Sequence, residues 1–241
     1  MEQHLKHKDV RKLIKRNELQ EILGQASQYF GKHMENIIIS VIVAVIVLIA
    51  IPVYLNHKNT MEQKAEEIVA YADMYMNAPI ADNAKSGMYG MFKTKQEKYE
   101  KITDTYMEVI KTYRNTKSAP YAYLGLGNAY FDKAMFKEAI DYYSTIVDKY
   151  QHCPVVAEAL EDRGFAYYEL QNYKDAINDF ETYITKYKDD YNYEDVELKL
   201  ADAYTQIKDS AKAGKIYAEI VSQDKDSLWA SVAKDKLSSI K

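Results

Sequence analysis

Cysteine is almost missing from this sequence: its 241 residues include one, Cys153, so no bridge can close within the chain and no cysteine-based metal cluster can assemble. That near-absence is compatible with a periplasm-like compartment. Proline is scarce too. Only Pro79, Pro120 and Pro154 follow residue 56, and with so few breakers the long apolar periodicities there read as helices, making the region all-α. Glycine is thin: Gly125-Leu126-Gly127 and Gly87-Met88-Tyr89-Gly90 have neither the number of glycines nor the following lysine-serine pair of a phosphate loop. Catalytic clusters are missing as well. His152 adjoins Cys153 near an inter-helix turn with no third partner at a recognised spacing, and His4, His7, His33 and His57 fall in the tail or beside the apolar run described next. Paired acids such as Asp189-Asp190 and Glu161-Asp162 read as solvated charge rather than as a catalytic dyad. The expectation is a protein with no enzymatic activity, no cofactor and no metal.

What is present is an uncharged run from Ile37 to Leu55. Nineteen residues at 1.5 Å rise make a helix about 28 Å long, close to the hydrocarbon thickness of a bilayer. Pro52 sits one turn from its end, where losing a hydrogen bond costs least. A cleaved signal peptide would need a shorter apolar core and a small-x-small site soon after it. Here Asn56-His-Lys-Asn-Thr-Met61 follows, and 36 residues precede. The run therefore reads as an uncleaved anchor in a lipid bilayer.

Residues 1–36 carry seven Lys/Arg and five Asp/Glu, whereas the remainder holds 25 basic and 31 acidic residues. Basic residues before the anchor favour a cytoplasmic N-terminus and a large C-terminal domain across the membrane, extracytoplasmic. In the tail, Val10, Leu13, Ile14, Ile22, Leu23, Ala26, Tyr29 and Phe30 follow helical spacing, which predicts one or two short amphipathic helices; Gly24 and Gly31 argue against a single unbroken one. The basic cluster is short and interspersed with Asp9 and Glu18, so nucleic acid is not an expected partner.

The decisive pattern is internal. Gly127, Gly164 and Ala201 stand 37 residues apart; three positions on come Tyr130, Tyr167 and Tyr204, then Ala139, Ala176 and Ala213, then Tyr143, Phe180 and Tyr217, and finally Ile146, Tyr183 and Ile220. A small residue lets two helices cross closely. On this reading the aromatic three positions later fills the space beside the crossing, and the alanine of the second helix receives it. Each unit is then a helix pair that must stack on its neighbour to hide its apolar stripe. Before the first unit, Tyr99, Ile102, Tyr106, Val109, Ile110 and Tyr113 mark one helix, and Met61, Ala65, Ile68, Val69, Ala72, Tyr75 and Met76 mark another; Gly90 breaks the register between them. After the last unit, Trp229, Val232, Ala233, Leu237 and Ile240 suggest a closing helix.

Tyr123, Leu126-Gly127, Tyr130, Ala139 and Tyr143 resemble the tetratricopeptide repeat, a helical hairpin motif. Arg163 replaces the usual Leu in the second unit and Ala201 replaces Gly in the third, and the family's terminal Pro is missing. Together with the apolar run, the resemblance predicts an all-α fold: a single transmembrane helix followed by an α-solenoid of tetratricopeptide-like hairpins. The expected parts are a tail (1–36), an anchor (37–55), juxtamembrane helices with a degenerate first hairpin (56–118), three repeats (119–222) and a capping helix (223–241). Carrying over the family's groove positions gives Tyr121, Leu124, Asn128, Phe131 and Asp132; Glu158, Glu161, Phe165, Tyr168 and Glu169; and Asp195, Leu198, Asp202, Thr205 and Gln206. This set is acidic and aromatic. It lacks the basic residues that clamp a peptide's terminal carboxylate, and suits a basic or partly unfolded chain better.

The whole layout is similar to the bacterial YfgM-like family of membrane-anchored tetratricopeptide proteins, which are associated with the Sec translocon and with periplasmic chaperones. The resemblance implies a scaffold that passes client polypeptides or chaperones along beside the export channel. Two alternatives stay open: a structural subunit of an envelope machine (flagellar, secretion or division), and a regulator acting through its cytoplasmic tail.

Overall fold

The computed structural model describes residues 7–81, 91–223 and 226–240, so the segment containing Gly87 and Gly90 lies outside the described residues. It divides into two compact units, Met1–Asn59 and Thr60–Lys241. Among the described residues the secondary structure is helical, apart from one isolated parallel bridge between Ile80 and Phe92.

Helix α1 is assigned over His7–Met76. Within the first unit it runs through Gly24 and Gly31 without interruption, so the tail is not two short helices. Glycine inside a helix costs only about 1 kcal/mol relative to alanine, which the turns on either side absorb. Pro52 likewise lies inside the helix rather than near its end. From Ile38 to Leu55 the large apolar side chains are exposed, and this is a helix long and apolar enough by length and composition to cross a membrane.

The second unit holds the end of α1 from Thr60 onward, followed by α2 (Lys95–Thr112), α3 (Ala119–Phe131), α4 (Phe136–Lys149), α5 (Val156–Glu169), α6 (Tyr173–Lys186), α7 (Tyr193–Gln206), α8 (Ser210–Gln223) and α9 (Leu228–Ser239). Local chemistry sets the ends. Thr94 Oγ1 accepts from Glu97 N (3.1 Å) while Lys93 N donates to Glu97 Oε2 (3.0 Å), a reciprocal cap at the start of α2. Pro120 falls in the first turn of α3, where its missing N–H is no loss. At the same helix start, Glu62 of α1 accepts from Lys117 N (2.7 Å), Ser118 N (3.0 Å) and Ser118 Oγ (2.7 Å).

Each helix packs on the next in chain order from α2 to α9, forming a solenoid of tetratricopeptide-like hairpins, α3/α4, α5/α6 and α7/α8. The turns inside the hairpins are alike. Ala134, Gln171 and Lys208 all adopt left-handed backbone (φ 55°, 60° and 65°), and the following N–H bonds back to the carbonyl of Tyr130, Tyr167 or Tyr204 at 2.9–3.0 Å. This is the Schellman closure, here without glycine.

The packing unit differs from the sequence expectation in one respect. The aromatic lying against the small residue comes from the second helix, not from three positions on. A Cβ on Gly127 would stand 2.3 Å from Tyr143 Cε1, and one on Gly164 would stand 2.4 Å from Phe180 Cε1. Tyr106, Tyr143, Phe180 and Tyr217 are all fully buried. Tyr130 is instead half-buried, stacked on Tyr142 with ring centroids 5.3 Å apart. A ring inserted from the facing helix crosses the gap between backbones, whereas one on the same helix can only flank it.

Candidate functional site

The first helices of the three hairpins, α3, α5 and α7, carry the positions assigned to partner binding. Several are already engaged within the chain. The Asn128 carboxamide lies 2.7 Å from the Tyr143 hydroxyl, and with its nitrogen turned that way it also reaches Asp162 Oδ2 at 3.1 Å. Asp132 accepts from the Tyr99 hydroxyl (2.9 Å), and burial with this bond pushes the phenol up to about 12. Asp202 accepts from the Tyr217 hydroxyl (2.5 Å) and the Lys236 ammonium (2.6 Å), so it ties α7 to α8 and α9. Glu161 is buried and accepts from Asn192 Nδ2 (2.9 Å). Leu124 and Leu198 are core residues.

The others face outward in whole or in part. Tyr121, Glu158, Glu169, Thr205 and Gln206 are exposed; Phe131, Phe165, Tyr168 and Asp195 are half-buried. Phe131 packs edge-on against Phe136, with centroids 5.2 Å apart. Phe165 packs against Phe180 (5.4 Å) and Tyr168 against Tyr173 (5.2 Å), while Lys199 Nζ lies 5.9 Å from both the Phe165 and Tyr168 rings. Sequence and structure co-vary inside the repeat. Where the inserted ring carries a hydroxyl, Tyr143 or Tyr217, the residue fifteen positions earlier is polar, Asn128 or Asp202; where it is Phe180, that residue is Phe165.

The electrostatics are dominated by crowded carboxyls. Burial, with Glu158 and Glu161 nearby, pushes Asp162 up to about 8. Burial pushes Glu161 up to about 7, against the opposing Asn192 bond and with help from Asp195 and Asp190. Glu158 is raised by burial and by Asp190, and Asp195 by burial despite Lys199.

Residues that the repeat positions did not suggest complete the face. A cavity of about 410 Å³ opens where α1, α2, α3 and α5 meet, with Asp73, Met76, Tyr121, Leu124, Asn128 and Glu158 among its lining. Asp73 and Met76 belong to α1, which no repeat register covers; only the run Met61–Met76 signalled a helix there. Asp162 was readable in principle, since it lies four residues after Glu158 on one helix face. No group of three or more His, Cys, Asp or Glu among the described residues is arranged to hold a metal ion.

Comparison with known proteins agrees with this architecture. Residues 124–191 and 195–227 each match a tetratricopeptide repeat family. The structure is similar to a tetratricopeptide repeat protein from Parabacteroides merdae, with a TM-score of 0.58 and 14% identity over 74% of this chain and 60% of that one. The chain thus spans about three fifths of that protein's length. It is also similar to the nearly identical repeats of a putative kinesin light chain from Podosopora anserina, with a TM-score of 0.51 and 14% identity over 76% of this chain and 84% of that one. At these identities the likeness is one of fold. No curated protein matches the sequence. Residues 124–191 and 195–227 of this chain are thus tetratricopeptide-like repeats, folded as stacked helical hairpins.

Proposed function

We propose that the chain is a membrane-anchored scaffold whose repeat domain, on the far side of the bacterial inner membrane, receives polypeptide segments or chaperones during protein translocation. The observation that carries the anchor is the uncharged helical stretch Ile37–Leu55, with its large side chains exposed and basic residues before it. The face of α3, α5 and α7 supplies the binding surface: exposed Tyr121, half-buried Phe165 and Tyr168, and the carboxyls of Glu158, Glu169 and Asp195. Aromatic rings and acids in one face suit an extended chain with basic and apolar side chains. Holding that face near the membrane exit raises its effective concentration for emerging chains.

Two measurements test this reading. Protease added to inverted inner-membrane vesicles should spare the C-terminal domain and remove the tail; digestion of the domain in that orientation would refute the topology. Crosslinking in intact membranes should join the domain to translocon subunits, chaperones or nascent chains. A single folded stoichiometric neighbour would instead favour a structural subunit of an envelope complex. A second reading, a regulator acting through its tail, draws on the exposed apolar stripe Leu19, Ile22, Leu23 and Phe30 in α1; crosslinks confined to residues 1–36 would favour it.

A further inference from the structure

We infer that the cavity between α1, α2, α3 and α5 is a specificity pocket for one basic side chain, lysine or arginine, of the bound polypeptide; this rests on the binding face proposed above.

The pocket is built by a residue that the repeat does not require. The small residue of the first unit's own crossing is Gly127, against Tyr143. Gly125 is a second glycine two positions earlier, and a Cβ there would stand 2.2 Å from Tyr106 Cζ and 2.6 Å from its hydroxyl oxygen. Its absence lets the buried Tyr106 ring lie directly across the α3 backbone. At its far end the hydroxyl donates to Asp73 Oδ1, on α1. One carboxylate oxygen of Asp73 is thereby held, and Oδ2 is left to accept from a ligand. Asn77 Nδ2 donates to the Asp73 carbonyl (2.9 Å), which secures the same end of α1.

The other units do not repeat this arrangement. Positions 37 and 74 residues after Gly125 are Asp162 and Lys199, which carry long or charged side chains where the first unit has none. The glycine gap at position 125 is therefore particular to the start of the solenoid.

Its chemistry is that of a cation subsite. At about 410 Å³ it falls within the range of side-chain and small-ligand pockets. Two carboxylates line it from different helices, Asp73 on α1 and Glu158 on α5, and no Lys, Arg or His lines it. Between them Met76, Tyr121 and Leu124 offer an apolar wall for the methylene stem of a long basic side chain. Charge-assisted hydrogen bonds to two carboxylates then fix its head. An acidic or purely apolar side chain would leave both carboxylates facing it without compensation.

The test uses the full chain in nanodiscs of phosphatidylcholine, a neutral lipid that does not itself collect cationic peptides. Random dodecapeptides are selected on the protein by phage display, and the winners are measured by fluorescence anisotropy. Expected is a Lys or Arg fixed at one position, whose replacement by Gln weakens binding by about tenfold or more, as the loss of a charged hydrogen bond implies. Asp73→Asn, which keeps an oxygen for Tyr106, and Glu158→Gln should each cause a similar loss for the Lys peptide and little for its Gln analogue. Their melting temperatures should match the parent. Tyr168→Ala, away from the pocket, should weaken both peptides equally. Selected peptides with no basic position, or full affinity in Asp73→Asn and Glu158→Gln, would overturn the pocket. If those peptides still responded to Tyr168→Ala, the binding face would stand without it; failure to select any peptide would overturn both.

Discussion

The insertion of Phe180 over Gly164 gives a sharp prediction about stability. An alanine Cβ at position 164 would meet Phe180 Cε1 at 2.4 Å, Cδ1 at 2.7 Å and Cζ at 3.1 Å, so the ring must retreat by about 1 Å to reach ordinary contact. Phe180 has no exposed surface and leans on Phe165, so it has nowhere to go. Overpacking of this sort costs about 3 kcal/mol at the upper end of its range, while the helix preference of alanine returns about 1. The net loss for Gly164→Ala is about 2 kcal/mol, a fall in Tm of about 4–8 °C for a domain of this size. Gly214→Ala is the control. There a Cβ would find only Leu237 Cδ1 at 3.7 Å, so the propensity gain stands alone and Tm should rise by about 2–4 °C. Thermal melts of the full chain in detergent, followed by circular dichroism, measure both. The pair Gly164→Ala and Phe180→Ala should also be non-additive, since removing the ring removes the clash. A Gly164→Ala protein that melts at or above the parent, or strict additivity of the pair, would refute the ring-over-glycine account.

Four further expectations follow from the same geometry. Arg163 donates to Asp179 through Nε and Nη2, both at 2.7 Å, and to Ser144 at 3.1 Å, so Arg163→Leu, which restores the usual repeat residue, should strand a buried carboxylate and cost about 3–5 kcal/mol in urea unfolding. Replacing Asp179 as well, with Leu, should recover most of that loss; no recovery would argue against the ion pair as the cause. For pH, Glu161, Asp162 and Glu197 are raised above their ordinary values to about 7, 8 and 7, chiefly by burial, so the folded state holds more protons than the unfolded one between those limits. The stability they contribute is complete near pH 4 and is lost as pH rises through 7 to 8, so Tm should fall from pH 4 to 8; Glu197→Gln, removing a buried carboxyl whose Oε2 has no hydrogen-bond partner, should reduce the total loss across that window by about 3 kcal/mol at most, and an unchanged loss would count against it. Finally, Glu62→Ala should free three donors at the start of α3 and cost about 1–2 kcal/mol, with faster amide exchange at Lys117 and Ser118 as the check.

The repeating hairpins were legible because burial leaves a periodic mark: Ala139, Ala176 and Ala213 are spaced evenly and all are fully buried. Which ring enters which gap was not legible. Tyr130 and Tyr143 are both tyrosines in the same unit, and only the three-dimensional crossing shows that the latter covers Gly127. The C-cap tyrosines Tyr113, Tyr150 and Tyr187 follow the same period and were readable in principle, yet only the backbone shows their common role at the ends of α2, α4 and α6. The binding face suffered most. A polar residue on the first helix reads the same in sequence whether it faces solvent, as Glu169 does, or is taken up by a neighbour, as Asp202 is by Tyr217 and Lys236. That choice is made by contacts 15 to 34 residues away. The continuity of α1 was hidden for a different reason: Gly24 and Gly31 are weak breakers when helical sequence flanks them.

The left-handed residues Ala134, Gln171 and Lys208 bear on how this domain could grow or shrink. Because the same joint recurs at the same interval, a duplicated 37-residue segment would enter the array with its hinge already formed. The terminal fastenings, Glu62 on Ser118 at one end and Asp202 on Lys236 at the other, would be left untouched. The molecule is in this sense modular along its length, and reach becomes a quantity that can be lengthened one step at a time.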